Sequence, residues 1–123
     1  MTEEMEIVLI EDDEDDAQRM LRFLRSNFTN KIRHIDDGAK AVEFLLFETD
    51  SVPKLILLDL FLPYMDGVEL YEMIRLEPPK RNLSVMFLIS SRESKAYLDS
   101  LGLRPDGYLV KPTRNNSVPA RIE

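Results

Sequence analysis

The sequence predicts an α/β domain built on a doubly wound, five-stranded parallel sheet, with a fifth helix that is short or irregular. Three observations carry this expectation. Short apolar runs of strand length alternate with segments of helical spacing, in the pattern βαβαβαβαβ. The run Lys54 to Leu58 is too continuously apolar to have a wet face, which favours parallel strands covered on both sides. The residues that follow the runs, Glu11 and Asp12, Asp59, Ser90 and Lys111, are polar, and the carboxyl ends of strands are where such sheets bind ligands.

Taken in order, Ile7 to Ile10 is the first strand, and it leads into six consecutive acids, Glu11 to Asp16. Ala17, Met20, Leu21, Leu24 and Phe28 then recur at three- and four-residue spacing, so a helix follows, with an acidic start that suits the positive end of its dipole. Lys31 to Ile35 is a short second strand. Asp37 and Gly38 open a second helix, with Ala41, Val42, Leu45 and Leu46 facing inward. Beyond the third strand, Pro63 and Asp66-Gly67 mark a loop into a third helix whose apolar set is Val68, Leu70, Tyr71 and Ile74. After the proline-broken connection Glu77 to Asn82 comes a fourth strand, Val85 to Ile89, ending in Ser90-Ser91. A helix through Ala96, Leu98 and Leu101 stops at Gly102, and Gly107 to Val110 is the fifth strand, ending at Lys111-Pro112.

A length of 123 residues and 44% hydrophobic content fit one domain, residues 1–123, with one core. With no cysteine, neither a disulfide framework nor a thiolate metal site can form. The start is acidic and no apolar stretch approaches the roughly 20 residues of a membrane span, so the expected location is the cytoplasm, away from membranes. Six of the 23 acidic residues sit in the one run, and the other 17 nearly balance the 16 lysines and arginines. The acidity is therefore local. Basic residues such as Arg19, Lys31, Lys80, Arg92 and Arg104 are scattered, so direct nucleic-acid binding is not expected.

Asp59 is the most informative residue, because a carboxylate at the end of a buried strand needs a cation, hydrogen bonds or a proton to compensate it. Parallel pairing of the first and third strands would bring Glu11 and Asp12 to the same rim. Carboxylates without His or Cys nearby form a hard oxygen site that suits Mg²⁺ or Mn²⁺ rather than zinc, and the run lacks the glycine and ligand spacing of a calcium-binding loop. A metal, a lysine ammonium and a serine hydroxyl around one carboxylate are groups for handling a phosphoryl group, with Asp59 as nucleophile. Asp13 to Asp16 read instead as a solvated helix start, and His34 as packing or surface away from the rim. Tyr108 fits packing as well as it fits a switch.

The blocks Val8 to Asp13, Leu57 to Gly67, Ser90-Ser91 and Gly107 to Pro112 together resemble the CheY-like response-regulator receiver domain of two-component signalling. That resemblance implies the strand order 2-1-3-4-5. It makes Asp59 the phosphoacceptor, Asp12 a direct Mg²⁺ ligand, Glu11 a ligand directly or through water, and Phe61 the donor of a backbone carbonyl to the metal. Ser90 would bond the phosphate, with Ser91 as the competing hydroxyl, and Lys111 would pair with it. Tyr108 would change rotamer when Ser90 moves, and a cis Lys111–Pro112 bond would aim the lysine inward. The phosphoryl donor would be a phosphohistidine on a sensor histidine kinase or phosphotransfer protein, and the chain a phosphoacceptor switch rather than an enzyme. Phe61 and Arg92 occupy the positions that set phosphate lifetime, and the bulk of Phe61 predicts slow autodephosphorylation.

The chain departs from this pattern at its end, where Thr113 to Glu123 has few apolar residues and a proline. An apolar patch beside the fifth strand would then be closed by a partner or a second copy, giving a homodimer. The leading expectation is a stand-alone switch acting through protein contacts on an unidentified downstream target. The alternatives are a receiver fragment of a hybrid kinase or larger regulator, and a Mg²⁺-dependent aspartyl-nucleophile phosphatase. Haloacid-dehalogenase-like phosphatases carry a second aspartate two residues after the first, where this chain has Phe61.

Overall fold

Successive side chains of a strand point to opposite faces of its sheet, so each apolar run divides into two rows. The computed structural model describes residues 5–48, 53–63, 65–76, 83–90, 92–103, 105–112 and 119–122. Its elements are β1 (Glu6–Ile10), α1 (Glu14–Asn27), β2 (Ile32–Ile35), α2 (Gly38–Glu43), a π-helical segment (Phe44–Glu48), β3 (Lys54–Asp59), α3 (Gly67–Leu76), β4 (Leu83–Ile89), α4 (Arg92–Ser100), β5 (Gly107–Val110) and β6 (Arg121–Ile122). The described strands form one sheet in the order β2-β1-β3-β4-β5-β6. All pairings through β5 are parallel, and β6 pairs antiparallel to β5.

The two rows build two cores. Val8, Ile10, Ile56, Leu58, Val85, Phe87, Ile89, Tyr108 and Val110 face α2, α3 and α4, where Ala41, Leu45, Leu70, Tyr71, Ile74 and Leu98 close over them. Ile7, Leu9, Leu57, Leu88 and Leu109 face α1, against Met20, Leu21 and Leu24. Polar side chains cap the helices as the sequence leads one to expect. Asp13 accepts a bond from the Asp16 amide, Asp37 from those of Ala39 and Lys40, and Asp66 from that of Glu69. Among the described residues no helix is long and apolar enough to cross a membrane.

Four expectations need correction. The sheet gains a sixth, antiparallel strand, because the C-terminal segment turns back and pairs Arg121 with Val110 and Ile122 with Leu109. Thr113 to Val118 lie outside the described residues. At Leu109 the apolar patch expected to be closed by a partner or a second copy is met by the chain's own C-terminal segment: Leu109 is 3% exposed, and Ala120 packs on its cluster. In α4 only Leu98 of the expected apolar set is buried, since Ala96 and Leu101 face solvent. The second helix also widens into a π-helix at Phe44, which no periodicity announced.

That wider segment lies over a buried ion pair at the amino-terminal end of the sheet. Lys54, 1% exposed, donates to Glu6 Oε1 at 2.9 Å, and Arg33 Nε donates to Oε2 at 3.0 Å. The Arg33 guanidinium and the Lys54 ammonium lie 4.3 and 5.6 Å from the Phe44 ring centre. Burial alone would raise the Glu6 pKa, but the hydrogen bonds and charges of Lys54 and Arg33 outweigh it and hold the carboxyl below its usual range. Its contribution to stability is therefore complete above the ordinary glutamate pKa and is lost as pH falls through the lowered one. We expect Lys54→Met to cost about 3 kcal/mol in denaturant unfolding at neutral pH, by leaving a buried carboxylate short of one cation. Glu6→Gln should flatten the acid limb of the stability curve.

Candidate functional site

The row that faces α1 does not end with the strands. Glu11 continues Ile7 and Leu9, Asp59 continues Leu57, and Lys111 continues Leu109, so alternation alone sends all three side chains to one face. Backbone pairing carries each of the outer two one residue past its strand. The Glu11 amide donates to Ile35 O at 3.1 Å and the Lys111 amide to Ile89 O at 2.8 Å. Ser90 continues the same row from Leu88. The loop after Asp59 turns back sharply, and the Gly67 amide closes it by donating to Leu60 O at 2.7 Å.

Lys111 Nζ is the hub of the site. It lies 2.6 Å from Glu11 Oε1, 3.0 Å from Asp59 Oδ1 and 3.2 Å from Asp16 Oδ2. Burial works against its charge, but the carboxylates of Asp59 and Glu11 prevail and hold it above the usual lysine range. Glu11 is fully buried, and that burial, with the Asp59 carboxylate beside it, pushes its pKa up to about 8. The Glu11–Lys111 contact is close yet poorly directed. Glu11 Oε1 consequently has no hydrogen bond among the described groups.

One carboxylate oxygen from each of Glu11, Asp12 and Asp59 lies within 4.8 Å of the others. An all-oxygen donor set carrying three potential negative charges, one of its buried oxygens lacking a hydrogen bond, fits a small hard dication. Asp59 also borders a cleft of about 40 Å³ shared with Phe61, Ser90, Ser94 and Lys111. Lys111 pairs with Asp59 and Ser90 lines the same cleft, while Ser91 and the side chain of Arg92 lie outside the described residues. Phe61 is 71% exposed at the mouth. Tyr108 sits deeper, 8% exposed, and its hydroxyl donates to Asp99 Oδ1 at 2.5 Å. Burial and that carboxylate push the phenol up to about 12.

Three readings change here. There is no cis peptide among the described residues, so the Lys111–Pro112 bond is trans. The lysine reaches the site all the same, because its backbone is pinned to β4 on the row that faces α1. His34 is not remote from the rim: its Nε2 lies 2.8 Å from the Glu11 carbonyl, an acceptor, so that nitrogen carries the proton. Asp16 is not a freely solvated acid, since it binds both Lys111 and Arg19. A signal for it was available, because Asp16 stands four and eight residues before Met20 and Leu24, on the buried side of α1. Ser94 had no comparable signal, as its place depends on how α4 packs.

Comparison with known proteins agrees with this geometry. The family model for the response regulator receiver domain matches residues 7–123. The chain belongs to that family. It is 30% identical over 121 residues to the probable methanogenesis regulatory protein FilR2 of Methanothrix harundinacea, covering 95% of this chain and 78% of that protein. It is 32% identical over 110 residues to the response regulator Rcp1 of Synechocystis, covering 85% and 75%. Among solved structures, the bacteriophytochrome response regulator RtBRR superposes with a TM-score of 0.77 at 33% identity, covering 88% of this chain and 69% of that one. The receiver fold, with its mostly parallel sheet, is shared, and β6 is a minor addition.

The glycine after Asp66 is required by close approach of backbone rather than by an unusual dihedral. A Cβ on Gly67 would stand 2.2 Å from the Asp59 carbonyl oxygen and 3.0 Å from Leu60 Cα. Gly67→Ala should therefore push β3 and the Asp59 carboxylate out of place, costing on the order of 2 kcal/mol or more in stability. Thermal unfolding, read together with phosphoryl uptake, checks both effects.

Proposed function

We propose that this receiver domain is a phosphorylation switch in which Asp59 accepts a phosphoryl group from a phosphohistidine of a sensor histidine kinase or phosphotransfer protein. The observation that carries this reading is the convergence of Lys111 Nζ on Asp59 Oδ1 at 3.0 Å, inside a ring of carboxylates that fits a dication. An Asp59 oxygen forms a bond to phosphorus as the phosphorus–nitrogen bond to the donor imidazole breaks, and the electron pair of that bond leaves with the imidazole. Glu11, Asp12, Asp59 and the Phe61 carbonyl would hold Mg²⁺, or Mn²⁺ in its place. That ion would supply positive charge to the phosphoryl oxygens. Lys111, beside Asp59, would neutralise phosphoryl charge, and Ser90 would donate a hydrogen bond from the cleft wall.

Tyr108 is the group on which the change of state would register, because it shares a core with Leu98 of α4 and its hydroxyl bonds Asp99 on the same helix. Output then passes through protein contacts to a downstream target, in keeping with a phosphoacceptor switch rather than a turnover enzyme. An aspartyl-nucleophile phosphatase would need a proton donor two residues past the nucleophile, and the exposed Phe61 ring provides none.

Incubation with phosphoramidate and Mg²⁺ should add one phosphoryl group, seen by intact mass, to the wild type and none to Asp59→Asn. Addition that survives the substitution would overturn the assignment. The Phe61 ring at the mouth shields the acyl phosphate from water, so Phe61→Asn should shorten its half-life several-fold, up to about tenfold, or roughly 1.4 kcal/mol of barrier. Following the decay of the phosphorylated mass over time measures it.

A further inference from the structure

Asp16 makes contacts that neither helix capping nor the carboxylate cluster calls for. Asp13 already caps α1, and the three clustered oxygens belong to Glu11, Asp12 and Asp59. Asp16 Oδ2 instead accepts a hydrogen bond from Lys111 Nζ at 3.2 Å, and Oδ1 accepts one from Arg19 Nη2 at 2.8 Å. The ammonium is thus shared among carboxylates of α1, of β3 and of the residue that follows β1.

We propose that Asp16 is a positioning residue that restrains Lys111, competing with a phosphoryl group on Asp59 for the lysine ammonium and so favouring the unphosphorylated state. The inference rests on the reading of Asp59 as phosphoryl acceptor. An ammonium has three N–H donors, and here Asp16 accepts a hydrogen bond from it while Asp59 and Glu11 lie within ion-pair distance. A phosphoryl group adds anionic oxygens beside Asp59, and Lys111 must turn from Asp16 to meet them. Asp16 cannot follow freely, because Arg19, one helical turn along α1, holds its other oxygen. Its own negative charge also opposes an incoming anion. Restraint and repulsion therefore act in the same direction, and they are separable by removing the lysine.

The experiment measures affinity for beryllofluoride, a phosphoryl mimic, at saturating Mg²⁺ by calorimetry. Asp16→Asn keeps the shape and the backbone amide but removes the charge, and it should bind about 3- to 10-fold tighter than wild type. In a Lys111→Met background the same substitution should bring a clearly smaller gain, the part due to repulsion alone, since no ammonium remains to be released. Unchanged or weaker binding by Asp16→Asn overturns the proposal. So does an equal gain without the lysine, which would reduce Asp16 to plain repulsion. Thermal melts establish that each variant is folded, and Asp16→Ser repeats the comparison should Asp16→Asn melt early. A wild type that neither binds beryllofluoride nor takes up phosphoryl from phosphoramidate would refute the reading of Asp59, and this inference with it. A wild type that does both while Asp16→Asn matches it refutes Asp16 alone.

Discussion

The structure depends on one electrostatic constraint: a single ammonium, Lys111, set among the carboxylates of Glu11, Asp16 and Asp59 at the carboxyl rim of the sheet. Even with Arg19 bound to Asp16, two cations face four acids, since Asp12 joins the cluster. Part of the excess is removed by protonation, since burial and the neighbouring Asp59 carboxylate raise Glu11 to about 8. What remains makes the rim a receptor for further positive charge. A dication bound there, as proposed, would complete that balance.

Much of this was legible in the sequence because it depends on alternation. The apolar runs set five strands, and the polar residues that end them had to share a rim once the pairing was parallel. Parity goes further: Glu11, Asp59 and Lys111 occupy the same phase of their strands as Ile7, Leu57 and Leu109, so they share a face as well as a rim. The elements that escaped depend on contacts between segments distant in the chain. β6 exists because the C-terminal segment reaches the open edge of β5, and its two residues carry no strand signal of their own. The π-helix at Phe44 likewise coincides with cations from β2 and β3 lying over its first ring. Asp16 and His34 escaped for a different reason. Each was judged by its neighbours in sequence, yet each acts across a gap closed only by folding.

The fold also separates the reactive rim from the surface that would report on it. Asp59, Glu11 and Lys111 face α1, whereas Tyr108 belongs to the opposite core with Leu98 of α4. A change at Asp59 has a short route between them, through the cleft that Ser90 and Ser94 share with it at the start of α4. Tyr108 is held against that helix by Asp99, with Lys95 5.5 Å from its ring centre. A switch of Tyr108 between rotamers, if it follows phosphorylation as proposed, would suit a packed core that resists continuous deformation.

The sheet carries buried charge at both ends, and the two ends differ in how completely that charge is balanced. At the amino-terminal end, Glu6 meets Lys54 and Arg33 through directed bonds on both oxygens. Positive groups there match or exceed the buried negative one, and the arrangement needs nothing further. At the carboxyl end, acids outnumber the lysine and a buried oxygen of Glu11 lacks a hydrogen bond. A stability argument would favour the first arrangement at both ends. That the second persists beside Asp59, where the loop is closed by a glycine that allows no Cβ, is what the proposed binding of a cation and a phosphoryl group would explain.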